Sequence, residues 1–335
     1  MKRVIAVYDL DPFYADRFAK VANQKETVPF TIIAFTSVER LSAYMEENPV
    51  EILLVDICAL EFVRDLPAKQ IFTLTDGEFV AVDEGYPNIY KYQSADGILR
   101  EVMAGYHVES VQELAPVGKP SSLVGVYSPV NRCLKTSFCL SMGQIMSKEQ
   151  KVLYLNLEDC SSLSKLMPES FKGDLSDAFY YYQQGLYNWV KMATMVYTWG
   201  TLDYIAPARY PEDLSRMSSS QVAEFLECVA EEGVYDVIIV DIGQYGRLAA
   251  DILDVCRVVY MPVREDGISR LKVEVFEEYL EASGRKKLKD RIQKLKLPAS
   301  HYQIRGENYL EQLMWGEMGD YVRQLLRGKA ERNQA

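Results

Sequence analysis

Short apolar runs alternate with segments of helical period along the whole chain. This alternation predicts an α/β protein with mostly parallel sheets, since parallel strands need crossovers and helices supply them. In the first third, strands are predicted at 4–8, 30–35, 52–55, 71–74 and 88–90, with helices at 12–22, 37–47 and 94–104. The segment 76–87 carries Gly77, Gly85 and Pro87, too many breakers for a full crossover helix. Residues 107–122 lack a clear period and hold two prolines, which marks a linker. A second α/β series then begins, with strands at 124–127, 152–157, 237–240 and 258–261. Its helices are predicted after Lys135, near 269–281 and over 309–326. The expected organisation is a first domain at 1–106, the linker, and a second domain at 123–335, with no internal repeat.

Composition sharpens this picture in a few places. The 335 residues are 48% hydrophobic and 25% charged, which excludes disordered and low-complexity readings. Met1–Val7 resembles the start of an export signal, but Asp9 and Asp11 interrupt it, so a cytoplasmic chain is expected. The six cysteines contain no CxxC pair and the only histidines are His107 and His301, a set that points away from zinc and toward reduced thiols. Of the net charge of −11, the first 118 residues carry nearly all, with 10 basic against 19 acidic side chains. Such a domain is unsuited to grip phosphate backbones, and no sequence-specific nucleic-acid partner is expected.

Candidate chemistry collects where predicted parallel strands end, the edge at which open sheets bind ligands. In the first domain these residues are Asp9, Asp11, Asp56, Thr75 and Lys91. Acids that hold Mg²⁺, an acceptor Asp, a hydroxyl and a lysine, in that order, resemble the flavodoxin-like receiver domain of two-component signalling. Leu10 stands where a second adjacent acid is usual, and Tyr92 follows Lys91 in place of proline. The resemblance therefore implies a degenerate receiver that is not phosphorylated and serves protein contact. In the second domain, a strand leads through Ser128-Pro129-Val130-Asn131-Arg132-Cys133-Leu134 to Lys135-Thr136-Ser137 and an apolar helix, the layout of a phosphate-binding P-loop. Asn156-Leu157-Glu158 ends one strand, and Val237–Asp241 forms a Walker-B-like strand ending in an acid.

Together these segments resemble the ParA/MinD-like deviant-Walker ATPases, and in particular their TadZ/CpaE branch, which joins an atypical receiver to such a domain. The segments 209–214 and 313–323 also look like that branch. The resemblance implies a cytoplasmic scaffold or localisation protein for Flp (Tad) pilus assembly or secretion machinery, at the cell pole or the inner face of the membrane. It implies a homodimer and contacts with pilus or secretion proteins. It implies ATP held by Arg132, Lys135, Thr136, Ser137 and Pro262, with Mg²⁺ near Thr136, Asn156 and Asp241, and no zinc, haem or flavin. The departures imply little hydrolysis: the loop has lost three glycines, and Val130 replaces the signature lysine that reaches the partner's nucleotide. Two other readings stay open, an active ATPase cycling on membrane or nucleoid and a phospho-responsive regulator. Two weaker features are the eleven aromatics of 171–210 and the basic stretch 285–296, with apolar residues at helical spacing; core packing and a solvated surface helix are the plainer readings. The C-terminal helix is expected to pack on its own domain.

Overall fold

The computed structural model describes residues 3–24, 30–76, 85–106, 119–166, 171, 173–243, 249–298 and 309–334. The chain forms two compact units, residues 1–112 with 188–194, and residues 113–187 with 195–335. Residues 107–118 of the expected linker, and 77–84 of the breaker-rich segment, lie outside the described residues.

The first unit is a five-stranded parallel sheet of β1 (Arg3–Tyr8), β2 (Phe30–Phe35), β3 (Val50–Asp56), β4 (Ala68–Thr75) and β5 (Asn88–Tyr90), in the order β2-β1-β3-β4-β5. Central β3 is buried at every position, and its middle, residues 52–55, runs apolar without alternation. Helix Pro12–Asn23 starts where Pro12 presets the first turn and the Asp11 carboxylate accepts the N–H groups of Phe13 and Tyr14. Ser37 and Ser94 cap helices Val38–Glu47 and Ala95–Gly105 in the same way. The short helix Trp189–Thr194 packs on Ala95–Gly105, which makes this unit discontinuous in sequence.

The second unit holds β6 (Ser122–Val126), β7 (Val152–Leu157), β8 (Val196–Trp199), β9 (Leu202–Ile205), β10 (Val237–Ile242), β11 (Val258–Pro262) and β12 (Ile292–Leu295). Their order is β12-β11-β6-β10-β7-β9-β8, parallel except for the β8–β9 hairpin. Because β10 lies between β6 and β7, the carboxyl ends of all three meet at one edge. Helix Lys135–Met146 covers this sheet with Phe138, Cys139, Leu140 and Met142, and the C-terminal helices pack on it in turn. Phe138 meets Tyr260 edge-on at 5.5 Å. Each such large side chain contributes about 1.5–3 kcal/mol by leaving water.

Several expectations change here. The 309–326 helix is two helices, Tyr309–Trp315 and Glu317–Gln334, that meet so closely that a Cβ on Gly319 would sit 2.0 Å from the Met314 carbonyl oxygen. The basic stretch 285–296 is not one amphipathic helix. It forms helix Lys286–Arg291 and then β12, because Leu295 has to face the sheet core beside β11. Its charges are also answered locally: Arg285 pairs with Asp251 and Asp254, Lys289 with Glu281, Arg291 with Asp254, Lys294 with Glu277 and Lys296 with Glu265. Much of the aromatic cluster is core, with Phe179, Trp189, Tyr197 and Tyr204 buried. No helix among the described residues is long and apolar enough to cross a membrane.

Candidate functional sites at the strand ends

In the first unit, the carboxyl ends of β1 and β3 and the start of the loop after β5 bring Asp9, Asp56 and Lys91 together in a buried ion triad. Lys91 Nζ lies 2.7 Å from Asp56 Oδ2 and 2.7 Å from Asp9 Oδ2. The Asp56 contact is a directed hydrogen bond; the Asp9 contact is off the hydrogen-bond axis and acts as an ion pair. The remaining oxygens are also engaged, Asp9 Oδ1 by the Asp11 N–H and Asp56 Oδ1 by the Cys58 N–H. Burial pulls the Lys91 ammonium toward neutrality, and the two carboxylates more than reverse it, so its pKa is raised. The Tyr14 ring lies 4.6 Å under the ammonium, and the Tyr14 hydroxyl donates to the Lys91 carbonyl.

Asp11 and Thr75 do not join the triad. Asp11 is exposed and spent on its helix cap, and Thr75 donates to the Ile89 carbonyl. Leu10 and Phe13 stand exposed beside them. A hard divalent ion wants several free oxygens, and here the carboxylates are held by an internal ammonium and by backbone N–H groups.

In the second unit, β6 leads into a loop that holds left-handed backbone at two positions without glycine. Among the described residues, Arg132 and Leu134 are the two non-glycine positions of positive φ, at 54° and 62°. This left-handed geometry costs a side-chain-bearing residue about 1–2 kcal/mol. Val130 turns inward: it is 3% exposed, and its N–H donates to Ser128 Oγ. Cys133 Sγ closes the same turn on the Val130 carbonyl. Lys135 then opens the helix, and its Nζ donates to the Ile242 carbonyl at 2.7 Å and pairs with Glu158 Oε1 at 3.5 Å. Thr136 Oγ1 donates to Glu158 Oε2 at 3.2 Å. Ser137 is bonded to the Tyr309 hydroxyl, and Pro262 is buried at the end of β11.

The register Asp241↔Asn156 sets these two side chains next to each other. Asn156 Nδ2 donates to Asp241 Oδ2 at 3.2 Å and to the Tyr154 hydroxyl at 2.9 Å, and that hydroxyl donates to Asp241 Oδ2. Asn156 Oδ1 accepts the Glu158 N–H. Asp241 is fully buried and its Oδ1 has no hydrogen-bond partner among the described residues. Burial first, and the Glu158 charge second, raise the Asp241 pKa, to about 6. Tyr154, Tyr309 and the Ile242 carbonyl were not singled out from the sequence, and Ser128 was read only as part of the loop. Only Tyr154 carried a signal, since it lies two residues before Asn156 and so on the same face of β7.

A lysine and a threonine at a helix N-terminus fit a phosphate, and the buried Asp241 Oδ1, without a hydrogen-bond partner among the described residues, fits a cation held jointly with that phosphate; no cluster of three metal-ligating side chains stands among the described residues. Asn156 offers less than an acid would, because both ends of its amide are already bonded.

Two outcomes follow from this geometry. Arg132→Gly relieves a positive φ at an exposed position and should raise stability by about 0.5–1 kcal/mol after the entropy cost of glycine, whereas Arg132→Ala should not; urea midpoints read the difference. Asp241 has a folded pKa above its unfolded value, so it binds a proton in the folded state first, and its ionisation costs stability above about pH 6. Asp241→Asn should therefore be more favourable at pH 7.5 than at pH 4.5, by about 1–3 kcal/mol; equal effects at both pH values would contradict this.

Residues 1–107 match the family model described as TadZ-like, receiver domain. No curated protein matches the sequence. Among solved structures, the chain is similar to a ParA family ATPase from Chlorobium tepidum, at 16% identity over 59% of this chain and 81% of that one, TM-score 0.45. It is similar to a plasmid partition protein from Borrelia burgdorferi bound to AMPPNP, at 10% identity over 61% of this chain and 99% of that one, TM-score 0.44. A cobyrinic acid a,c-diamide synthase from Mycobacterium smegmatis with ADP and magnesium shows 15% identity over 58% and 79%, TM-score 0.41. Residues 1–107 thus match the TadZ-like receiver domain model, and the chain continues into a mostly parallel α/β unit with a strand–loop–Lys-Thr–helix segment.

Proposed function

We propose that this chain is a cytoplasmic localisation or scaffold protein for Flp (Tad) pilus assembly or secretion machinery, acting at the cell pole or the inner face of the membrane. Its second unit binds ATP with Mg²⁺ and dimerises, and it hydrolyses little. The TadZ-like receiver match supports the setting. The observation that carries the low turnover is the inward, uncharged Val130. Stabilising charge on the departing phosphoryl group is most of the catalysis of phosphoryl transfer, and a missing trans-acting cation costs on the order of 10³–10⁵ in rate. When bound, Mg²⁺ would neutralise phosphate charge; Lys135 and Thr136 would orient the nucleotide, and Asp241 would face the cation. The receiver-like unit serves as a contact module, because its acceptor Asp56 is locked by Lys91 and Cys58.

The test takes the full chain through sedimentation with and without Mg²⁺–ATP, alongside steady-state phosphate release. The expected result is a dimer at micromolar concentration and turnover at background. Lys135→Ala should remove nucleotide binding while keeping the fold. Turnover like that of active ParA-type enzymes would replace this reading with a cycling ATPase. Acetyl phosphate or a beryllofluoride mimic should leave the spectrum of the chain unchanged, whereas a saturable, Asp56-dependent change would revive a phospho-responsive regulator.

A further inference from the structure

We propose that Glu158 is a built-in competitor for the phosphate-binding loop, holding the Lys135 ammonium and the Thr136 hydroxyl so that a triphosphate must displace its carboxylate to bind. The inference rests on the nucleotide-binding reading above and adds what controls that same site. Each Glu158 oxygen faces one loop group: Oε1 lies 3.5 Å from Lys135 Nζ, and Oε2 accepts from Thr136 Oγ1 at 3.2 Å. The Thr136 hydroxyl has one donor, so a carboxylate and a phosphate cannot use it at once; the Lys135 ammonium has three, one already on the Ile242 carbonyl, and there the two anions compete by charge.

The main chain under Glu158 is pinned. Its N–H donates to Asn156 Oδ1, and the Asn156 amide is itself tied to Asp241. The Gly243 N–H donates to the neighbouring Leu157 carbonyl at 3.1 Å. Gly243 allows that approach, since a Cβ there would lie 2.5 Å from the Leu157 oxygen and 2.8 Å from Glu158 Cα. The Glu158 side chain, by contrast, is 28% exposed and has solvent to swing into. With the backbone fixed and the head group free, displacement needs only side-chain torsions. The length of the glutamate side chain lets the carboxylate reach both loop groups.

Calorimetric titration of the full chain with ATP, and with inorganic tripolyphosphate, each with and without Mg²⁺, tests this in the unmodified protein, Glu158→Gln and Glu158→Asp. Loss of a partly exposed ion pair should tighten binding of both ligands roughly two- to fivefold in Glu158→Gln, even without Mg²⁺. Glu158→Asp keeps the charge with a shorter reach and should fall between; it carries the test if Glu158→Gln does not fold. Unchanged affinity would overturn the competitor role. So would weaker binding in Glu158→Gln only when Mg²⁺ is present, which would make Glu158 a cation ligand instead. If no variant binds either triphosphate, the nucleotide reading fails and the competitor role fails with it. Tight binding that ignores Glu158 removes the competitor alone.

Discussion

Both units depend on the neutralisation of carboxylates buried at the ends of parallel strands. A parallel sheet sandwiched by helices leaves its strand termini as the place where side chains from several strands converge. An ionised acid there loses much of its hydration and has to be answered by protein groups. In the first unit the answer is a full charge, with Lys91 set between Asp9 and Asp56. In the second it is mostly dipolar: Asn156 and Tyr154 share one oxygen of Asp241 and leave the other bare.

That contrast divides the chemistry of the two units. A site closed by its own ammonium has spent the oxygens with which a receiver binds a cation and a phosphoryl group. A site closed by an amide and a phenol keeps one oxygen unanswered, with a lysine and a threonine nearby. The first site is closed by charge, whereas the second leaves a carboxylate oxygen without a hydrogen-bond partner among the described residues.

The loop after β6 shows how far backbone shape and residue identity can part. Arg132 and Leu134 hold positive φ where the family resemblance places glycines. The surrounding structure therefore determines the loop's shape, because local preference opposes it. The helix that follows is buried over Phe138–Gln144, and this packing anchors the loop from its carboxyl end. Val130 is buried as well, and its apolar side chain offers no charge outward.

The sequence alone determined the alternation of strands and helices, and it placed most of the strands, while several second-unit helices, Ser219–Glu231 the longest, went unread. Apolar runs such as 152–157 and 237–242 have few alternatives once both faces of a strand are covered. It also identified the strand-end acids, Lys91, and the Lys135-Thr136 pair, because parallel topology puts chemistry at those ends. Hairpin β8–β9 and strand β12 were missed, since each spans four residues and owes its state to a neighbouring strand. The break between the two C-terminal helices went unread for a related reason: close packing at Gly319 sets it. Which acids would meet, and what would answer them, was decided only in three dimensions. Nothing in local sequence says that Glu158 reaches back to the loop, that Ser137 is bonded to Tyr309 or that Asn156 faces Asp241. Those pairings come from strand register and order, which join residues 22, 172 and 85 positions apart.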